Sequence, residues 1–402
     1  MSKLEELIQQ YCPDGVEWKS YYDVCDLIRG ITYNKSQEAK TETEDAHKVL
    51  RANNITLYLN ALNFDDVKLV SKDVVVKPEQ HLYAGDILMC AGSGSKEHVG
   101  KVAYIFQDMD YTFGGFMAVV RCKKTVLSRY MFHILASHFF TSHLETQINS
   151  STINNINRQV MQSFVFPVPP LPVQEEIVRI LDNFTELQAE LQAELQKRKL
   201  QYNYYLDNLL NFNRGGYQAE VRWMKMRDIT KLSRGRVISK DYLQNNVGIY
   251  PVYSSQTVNN GELGQINTYD YNGNYLTWTT DGAYAGTIFK RKGCFSITNV
   301  CGLIALTSEL VNLDFLYYWL KITAPSYVYK GMGNPKLMSN VMESILIPII
   351  PLSEQQRIVS ILDRFDRLTN DLTSGLPAEI EKRRQQYECY RDKLLTFKRK
   401  AA

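Results

Sequence analysis

The stretch Phe166-Pro167-Val168-Pro169-Pro170-Leu171, continued by Gln174-Glu175-Glu176-Ile177-Val178-Arg179-Ile180-Leu181-Asp182-Asn183-Phe184, occurs twice. It returns as Ile347-Pro348-Ile349-Ile350-Pro351-Leu352 and Gln355-Gln356-Arg357-Ile358-Val359-Ser360-Ile361-Leu362-Asp363-Arg364-Phe365, 181 positions later and without a gap from Pro167 to Leu187. Lys197-Arg198, Gln201-Tyr202, Tyr205, Leu209-Leu210 and Phe212 recur as Lys382-Arg383, Gln386-Tyr387, Tyr390, Leu394-Leu395 and Phe397, now at an offset of 185. A period this long points to a duplicated domain with its connector, since solenoid repeats run to about 20–50 residues.

The repeated stretches are predicted to be long helices. In the first, Ile177, Ile180, Phe184, Leu187, Leu191 and Leu195 recur at steps of three and four, the apolar seam of a coiled coil. Ile358, Ile361, Phe365, Leu368 and Leu372 make the equivalent seam in the second. Pro172 suits a first helical turn, and Ser353 with Gln356 forms an expected capping box. From Gln174 to Phe212 the first helix would be roughly 58 Å long at 1.5 Å per residue. It contains the tandem Leu187-Gln188-Ala189-Glu190, Leu191-Gln192-Ala193-Glu194, whose unit adds about 6 Å of length. The second has Thr373-Ser374-Gly375-Leu376-Pro377 nearby and should kink or break before Ala378.

Outward from the repeats, the chain divides into a helical tail (1–12), a globular block (13–165), a connector (166–216), a second block (217–346) and a second connector (347–402). Leu4 to Gln9 echoes Leu206 to Asn211, as though one connector had been cut. The two blocks share a frame: Val16, Trp18, Asp23, Leu27, Arg29 and Gly30 match Val221, Trp223, Asp228, Leu232, Arg234 and Gly235 at an offset of 205. Their ends match too, Val160-Met161 and Ser163 against Val341-Met342 and Ser344, while their centres diverge. One scaffold presenting two different recognition surfaces fits this pattern. Both blocks read as mixed α/β (α+β). Short apolar runs at 73–76, 86–90, 101–106, 275–279 and 287–289 are expected strands, and 129–140 and 315–322 have helical spacing.

Hydrophobic content of 45% with 22% charge belongs to an ordinary globular protein. Lys3, Glu5 and Glu6 occupy the place of a signal peptide's apolar core, and no apolar run approaches the ~20 residues of a membrane span; a cytoplasmic protein with no membrane partner is expected. Seven cysteines without a C-x-x-C pair suggest reduced thiols. A net charge of +3 permits nucleic-acid binding without requiring it.

Motifs for catalysis are weak. Asp14 and Glu17-Trp18-Lys19 lie too close together for the acids of a nuclease metal site. Gly92-Ser93-Gly94-Ser95-Lys96 lacks phosphate-loop spacing. Val168-Pro169-Pro170-Leu171 lacks the polar first residue and aromatic last residue of an amino-methyltransferase motif. No catalytic, cofactor-binding or metal residue is therefore assigned. What remains is polar readout surface, because Asn and Gln can bond adenine, Arg and Lys can bond guanine, and cations suit phosphates. The candidates in the first block are Asn53, Asn54, Ser93, Ser95, Lys96, Lys101, Asn154, Asn155 and Arg158. In the second they are Ser254, Ser255, Gln256, Thr257, Thr279, Thr280, Asp281, Tyr284, Lys290, Arg291, Asn334 and Lys336.

Two variable blocks, each followed by P-x-x-P-L…Q-x-x-I-V-x-I-L-D-x-F and K-R-x-x-Q-Y…L-L-x-F, resemble the specificity subunit of type I restriction-modification enzymes. Trp278 to Thr287 and Thr298 to Gly302 are similar to strings of its target-recognition domains. The resemblance implies two such domains held apart by two long antiparallel coiled-coil helices with pseudo-twofold symmetry. Each domain would read half of a bipartite, asymmetric target in double-stranded DNA. The helices would set the gap and dock two methyltransferase subunits and then restriction/translocase subunits, through Ile177, Leu181, Phe184, Leu187, Leu191, Tyr202, Ile358, Leu362, Phe365, Leu368 and Tyr387. S-adenosylmethionine, ATP and Mg²⁺ would belong to those partners, none to this chain, which would not be an enzyme. The alternative is a coiled-coil scaffold that binds proteins without DNA specificity.

Overall fold

The computed structural model describes residues 2–39, 46–57, 60–147, 154–212, 221–331 and 333–400. The chain forms two compact units, one of Met1–Gln192 with Glu379–Ala402, the other of Ala193–Ala378. Each unit thus owns one globular block, part of the helix Leu171–Leu209, and one helix from the second repeat.

In the first unit a four-stranded antiparallel sheet runs in the order Cys25–Arg29, Met117–Cys122, Ile87–Cys90, Val102–Tyr104. Ile87–Cys90 is buried on both faces, which is why it reads as an unbroken apolar run. A second sheet orders Lys68–Ser71, Ala46–Leu50 and Thr112–Phe113, the last two parallel. The expected strand at 73–76 is absent: Val74 is buried but Val75 is exposed, and the segment is irregular. The helix expected over 129–140 is two helices, Ser128–Leu135 and His138–Gln147.

In the second unit one six-stranded sheet has the order Thr230–Arg234, Cys301–Leu306, Tyr271–Thr279, Ile288–Ile297, Val247–Tyr253, Glu262–Ile266. Its first four strands repeat the first unit's sheet in order. The next pairing repeats as well, Val252–Ser296 and Tyr253–Ile297 being parallel as are Val49–Thr112 and Leu50–Phe113. The centres whose sequences diverge therefore share a topology, and the long strand Ile288–Ile297 corresponds to two short strands in the first unit. Packing compensates position by position: Trp278 pairs with Gly302 where Met89 pairs with Ala118. A Cβ on Gly302 would lie 2.2 Å from the indole. The matched glycines of the frame are close approaches, since a Cβ on Gly30 would meet Phe113 O and one on Gly235 would meet Ile297 O.

The repeated glutamines tie each connector to its block. Gln174 is buried, accepts from Leu127 N and donates to Thr125 O and Pro169 O. Gln355, equally buried, accepts from Asn312 N and donates to Leu310 O and Ile350 O. The strands that open the repeats, Val165–Val168 and Leu346–Ile349, pair antiparallel with the start of their blocks, Trp18 opposite Pro167 and Trp223 opposite Pro348.

The first unit's seam brings Ile177, Leu181 and Tyr387 into one core and stacks Phe184 on Tyr390 at 5.4 Å. Asp182 accepts from Arg129 Nε and His133 Nε2, and the other ring nitrogen of His133 bonds Tyr387 Oη at 3.0 Å. Burial pushes the imidazole down to about 4, so His133 is the neutral donor to Asp182. Burial also tends to raise the Asp182 carboxyl, but the His133 bond and the Arg129 charge outweigh it and hold it below its usual range. In the second unit Ile358, Leu362 and Tyr202 are buried together, and Tyr205 stacks on Phe365 at 5.1 Å. Leu187, Leu191 and Leu368 are half-buried.

Three expectations are corrected. The second connector's helix Leu352–Asn370 is preceded by Pro351, so Ser353 lies inside its first turn and makes no capping box; Gln356 Oε1 accepts from Asn312 Nδ2 instead. The seam ends before Leu372, which is exposed. The place that Tyr202 and Leu210 hold in the second unit is held in the first by Tyr387 and Leu395, so the helix Lys3–Tyr11 is an addition rather than a severed piece of the connector. The expected break falls at Asp371–Gly375, where Asp371 accepts from Thr373 and Ser374 before the helix Leu376–Leu394 begins.

Candidate nucleic-acid interface

Each unit carries an apex built to one plan. The central strand ends in a loop, Gly92–Lys96 or Asp281–Tyr284, that bridges to the segment preceding the block's last helix. In the first unit Gly92-Ser93 pairs with Asn155-Asn154, and Ile156 N donates to Ala91 O. In the second Asp281 bridges Lys336, and Leu337 N donates to Thr280 O. The frame arginines clamp both. Arg29 donates to Asn155 Oδ1 at 3.0 Å and to Ile156 O. Arg234 donates to Thr280 Oγ1 at 2.7 Å, Asn299 O at 3.1 Å and Ser339 Oγ at 3.3 Å. These arginines were visible in the sequence only as part of the shared frame; their clamping role was not.

Of the candidates in the first unit, Ser95 and Lys96 are exposed at the apex, and Ser93 accepts from Ser95 N. Asn155 is exposed although held by Arg29, and the Asn154 side chain lies outside the described residues. Arg158 is exposed with its guanidinium over Tyr22. Asn53 is exposed and donates to Asp66 Oδ2 at 2.9 Å. Two candidates are corrected. Asn54 is fully buried and ties the loop together, accepting from Arg51 N and donating to Asn63 O and Asp66 O. Lys101 spends its ammonium on Ile55 O at 2.7 Å, and burial lowers its pKa.

In the second unit Tyr284, 65% exposed, Asn334 and Lys336 gather at the apex, with Lys336 3.9 Å from Asp281. Tyr329, 71% exposed and bridged to Lys336, joins them and was not anticipated; an isolated tyrosine in a turn carries no pattern that would single it out. Thr279 and Thr280 are corrected: both are buried, Thr279 closing the loop onto Tyr284 O and Thr280 donating to Val300 O or Asp281. Lys290 is corrected as well, pairing with Asp314 at 2.7 Å and Asp363 at 3.5 Å. Arg291 is 3% exposed, donates to Thr277, and stacks on Tyr253; burial lowers it to about 10, so it is no phosphate contact on the surface. Ser254 accepts from Thr298, and Gln256 donates to Glu262 O. Ser255 and Thr257 are half-buried beside them, away from the 281–336 bridge in sequence.

Among the described residues no group of three or more His, Cys, Asp or Glu side chains could hold a metal, and no helix is long and apolar enough to cross a membrane. All seven cysteines are free.

Residues 13–198 and 219–382 each match the type I restriction modification DNA specificity domain. The chain is 35% identical over 309 residues to the type I restriction enzyme MpnII specificity subunit of Mycoplasma pneumoniae, covering 62% of this chain and 93% of that one. It is 35% identical over 256 residues to the EcoR124I/EcoR124II specificity subunit of Escherichia coli, covering 58% and 61%. The fold resembles a crystal structure of a type I restriction-modification S subunit from M. genitalium, with a TM-score of 0.58 at 13% identity over 95% of this chain and 96% of that one. With the domain matched on both halves, the chain belongs to the type I restriction-modification DNA specificity family, whose subunits supply DNA sequence specificity.

Proposed function

We propose that the chain reads a bipartite, asymmetric DNA target, one half-site per recognition domain, and that its connector helices set the unread gap while docking two methyltransferase subunits. The observation that carries this is the duplicated apex: one Arg-clamped bridge built twice on matching strands, with Ser95 and Lys96 exposed on the first and Tyr284, Tyr329 and Asn334 on the second. A shared scaffold with unlike exposed donors and acceptors is what reading two different sequences requires. Lys96 and Lys336, with the exposed Lys330 that follows Tyr329, supply charge for phosphates. The connector helix Leu171–Leu209, about 58 Å long at 1.5 Å per residue, has the length a spacer on the scale of a turn of duplex needs. Base chemistry falls to the partners, where S-adenosylmethionine would methylate adenine and ATP and Mg²⁺ would serve the restriction/translocase subunits.

The test is methylome sequencing of a host expressing this chain with its methyltransferase subunit. One motif with two fixed halves and a constant gap is expected, and the chain purified alone should neither methylate nor cut. Methylation without sequence preference, or turnover by the isolated chain, contradicts the proposal.

A further inference from the structure

The first unit holds a cleft of about 1080 Å³ beside its apex that the duplicated plan leaves unexplained. Gly92 of the apex lines it, and Phe116, 63% exposed at its rim, is tied to the apex because its carbonyl accepts from both Ala91 N and Gly92 N. Arg51 and Asp66 face each other across the wall, Arg51 Nη2 donating to Asp66 Oδ2 at 2.7 Å. Asn53 Nδ2 donates to the same oxygen at 2.9 Å. One carboxylate oxygen therefore orients a guanidinium and is itself held by an amide. Arg51 Nε is shielded from solvent and has no acceptor, and His98 Nδ1, also in the cleft lining, is shielded and unpartnered. Buried polar atoms left without partners are costly. A ligand that brings acceptors into the cleft would relieve that cost.

The pair displays donors on the arginine and a free carboxylate oxygen on Asp66, whose side chain is 69% exposed. In the major groove only a G·C pair offers matching groups: guanine N7 and O6 accept from an arginine fork, and the cytosine amino group donates to a carboxylate. An A·T pair sets a donor beside its purine acceptor and has no donor for Asp66 on thymine. We infer that Arg51 and Asp66 read one G·C base pair of the first domain's half-site, with Asn53 as a positioning residue that fixes Asp66. At the second domain's apex the charged pair among the described residues is Lys336 with Asp281, 3.9 Å apart, so Arg51 and Asp66 bear on the first half-site alone. This rests on the proposed reading of one half-site per domain.

The experiment uses the full chain assembled with its methyltransferase subunits and sequences the modified sites from a randomised duplex library. With the wild type, the first half-site contains an obligatory G·C pair. Arg51→Ala relaxes preference at that single position by about five- to a hundredfold, Asp66→Asn relaxes the same position, and the second half-site and gap stay fixed. If Arg51→Ala does not assemble, Arg51→Lys decides, since it keeps the charge and stem but loses the fork; it too relaxes that position. A first half-site without a G·C pair, or variants that lose activity equally at every site with no position relaxed, overturns the inference. A wild-type complex with no sequence preference in either half overturns the wider reading together with it.

Discussion

Removing Leu191 to Glu194 should shorten the gap between half-sites without altering either half. The tandem from Leu187 to Glu194 lies inside the continuous helix Leu171–Leu209 and spans the boundary between the two compact units at Gln192 and Ala193. Four residues at 1.5 Å each remove about 6 Å, and at 3.6 residues per turn they change the helical phase by roughly 40°. Against 3.4 Å per base pair the length lost corresponds to one or two base pairs. The deletion is mild chemically: Leu195, now buried, moves into the position of Leu191, so the seam still presents leucine. Glu190 likewise moves to the position four residues before Arg198, so the Glu194–Arg198 ion pair at 2.6 Å, worth about 0.3–0.5 kcal/mol for an exposed i,i+4 pair, is remade with Glu190. The assay is methylome sequencing with the deleted chain, alongside a variant carrying a third Leu-Gln-Ala-Glu copy, for which the gap should lengthen by the same amount. An unchanged gap, or altered half-sites, would refute the connector as a spacer.

Gln355→Ala leaves the Asn312 amide and the Leu310 and Ile350 carbonyls without partners; a loss of about 2–4 kcal/mol is expected, seen as a lower urea midpoint with the DNA motif unchanged. Gly302→Ala drives a methyl group into the Trp278 ring and should destabilise the second recognition domain, with limited proteolysis cutting it before the first. Stability should also fall with acidity in a defined window. His133 is buried at a folded pKa of about 4 against an ordinary 6.5, so the unfolded chain takes the proton first. The stability from its neutral form is complete above about 6.5 and is lost as pH drops toward 4, by up to about 3 kcal/mol. The groups facing the ring are Arg129, Asp182, Tyr387 and Arg391, and Asp182, held low, adds its own loss only at still lower pH. Urea midpoints against pH should show this slope for the wild type and a flatter one for His133→Gln; equal slopes would contradict the assignment.

The features legible in the sequence are those that the fold repeats with the same side chains. Gln174 and Gln355 could be found by alignment because each bonds the backbone of the preceding block in the same way. Gly30 and Gly235 could be found because a carbonyl leaves no room for a Cβ at either place. The centres were unreadable for the opposite reason: parallel pairing of Val49 with Thr112 and of Val252 with Ser296 is made by backbone atoms, which tolerate any strand-forming residue. The site suffered from a different ambiguity. A loop must satisfy its own backbone, and it uses the same small polar residues that read bases. Asn54, Thr279 and Thr280 are spent inward on that task, and nothing local in the sequence separates them from Ser95 or Asn334. Lys290 was misread because its partners Asp314 and Asp363 are distant in the chain. If each domain reads one half-site, its specificity resides in side chains outside the shared frame, and the Arg51–Asp66 pair, which belongs to none of the matched positions, is where the proposed reading places it in the first domain.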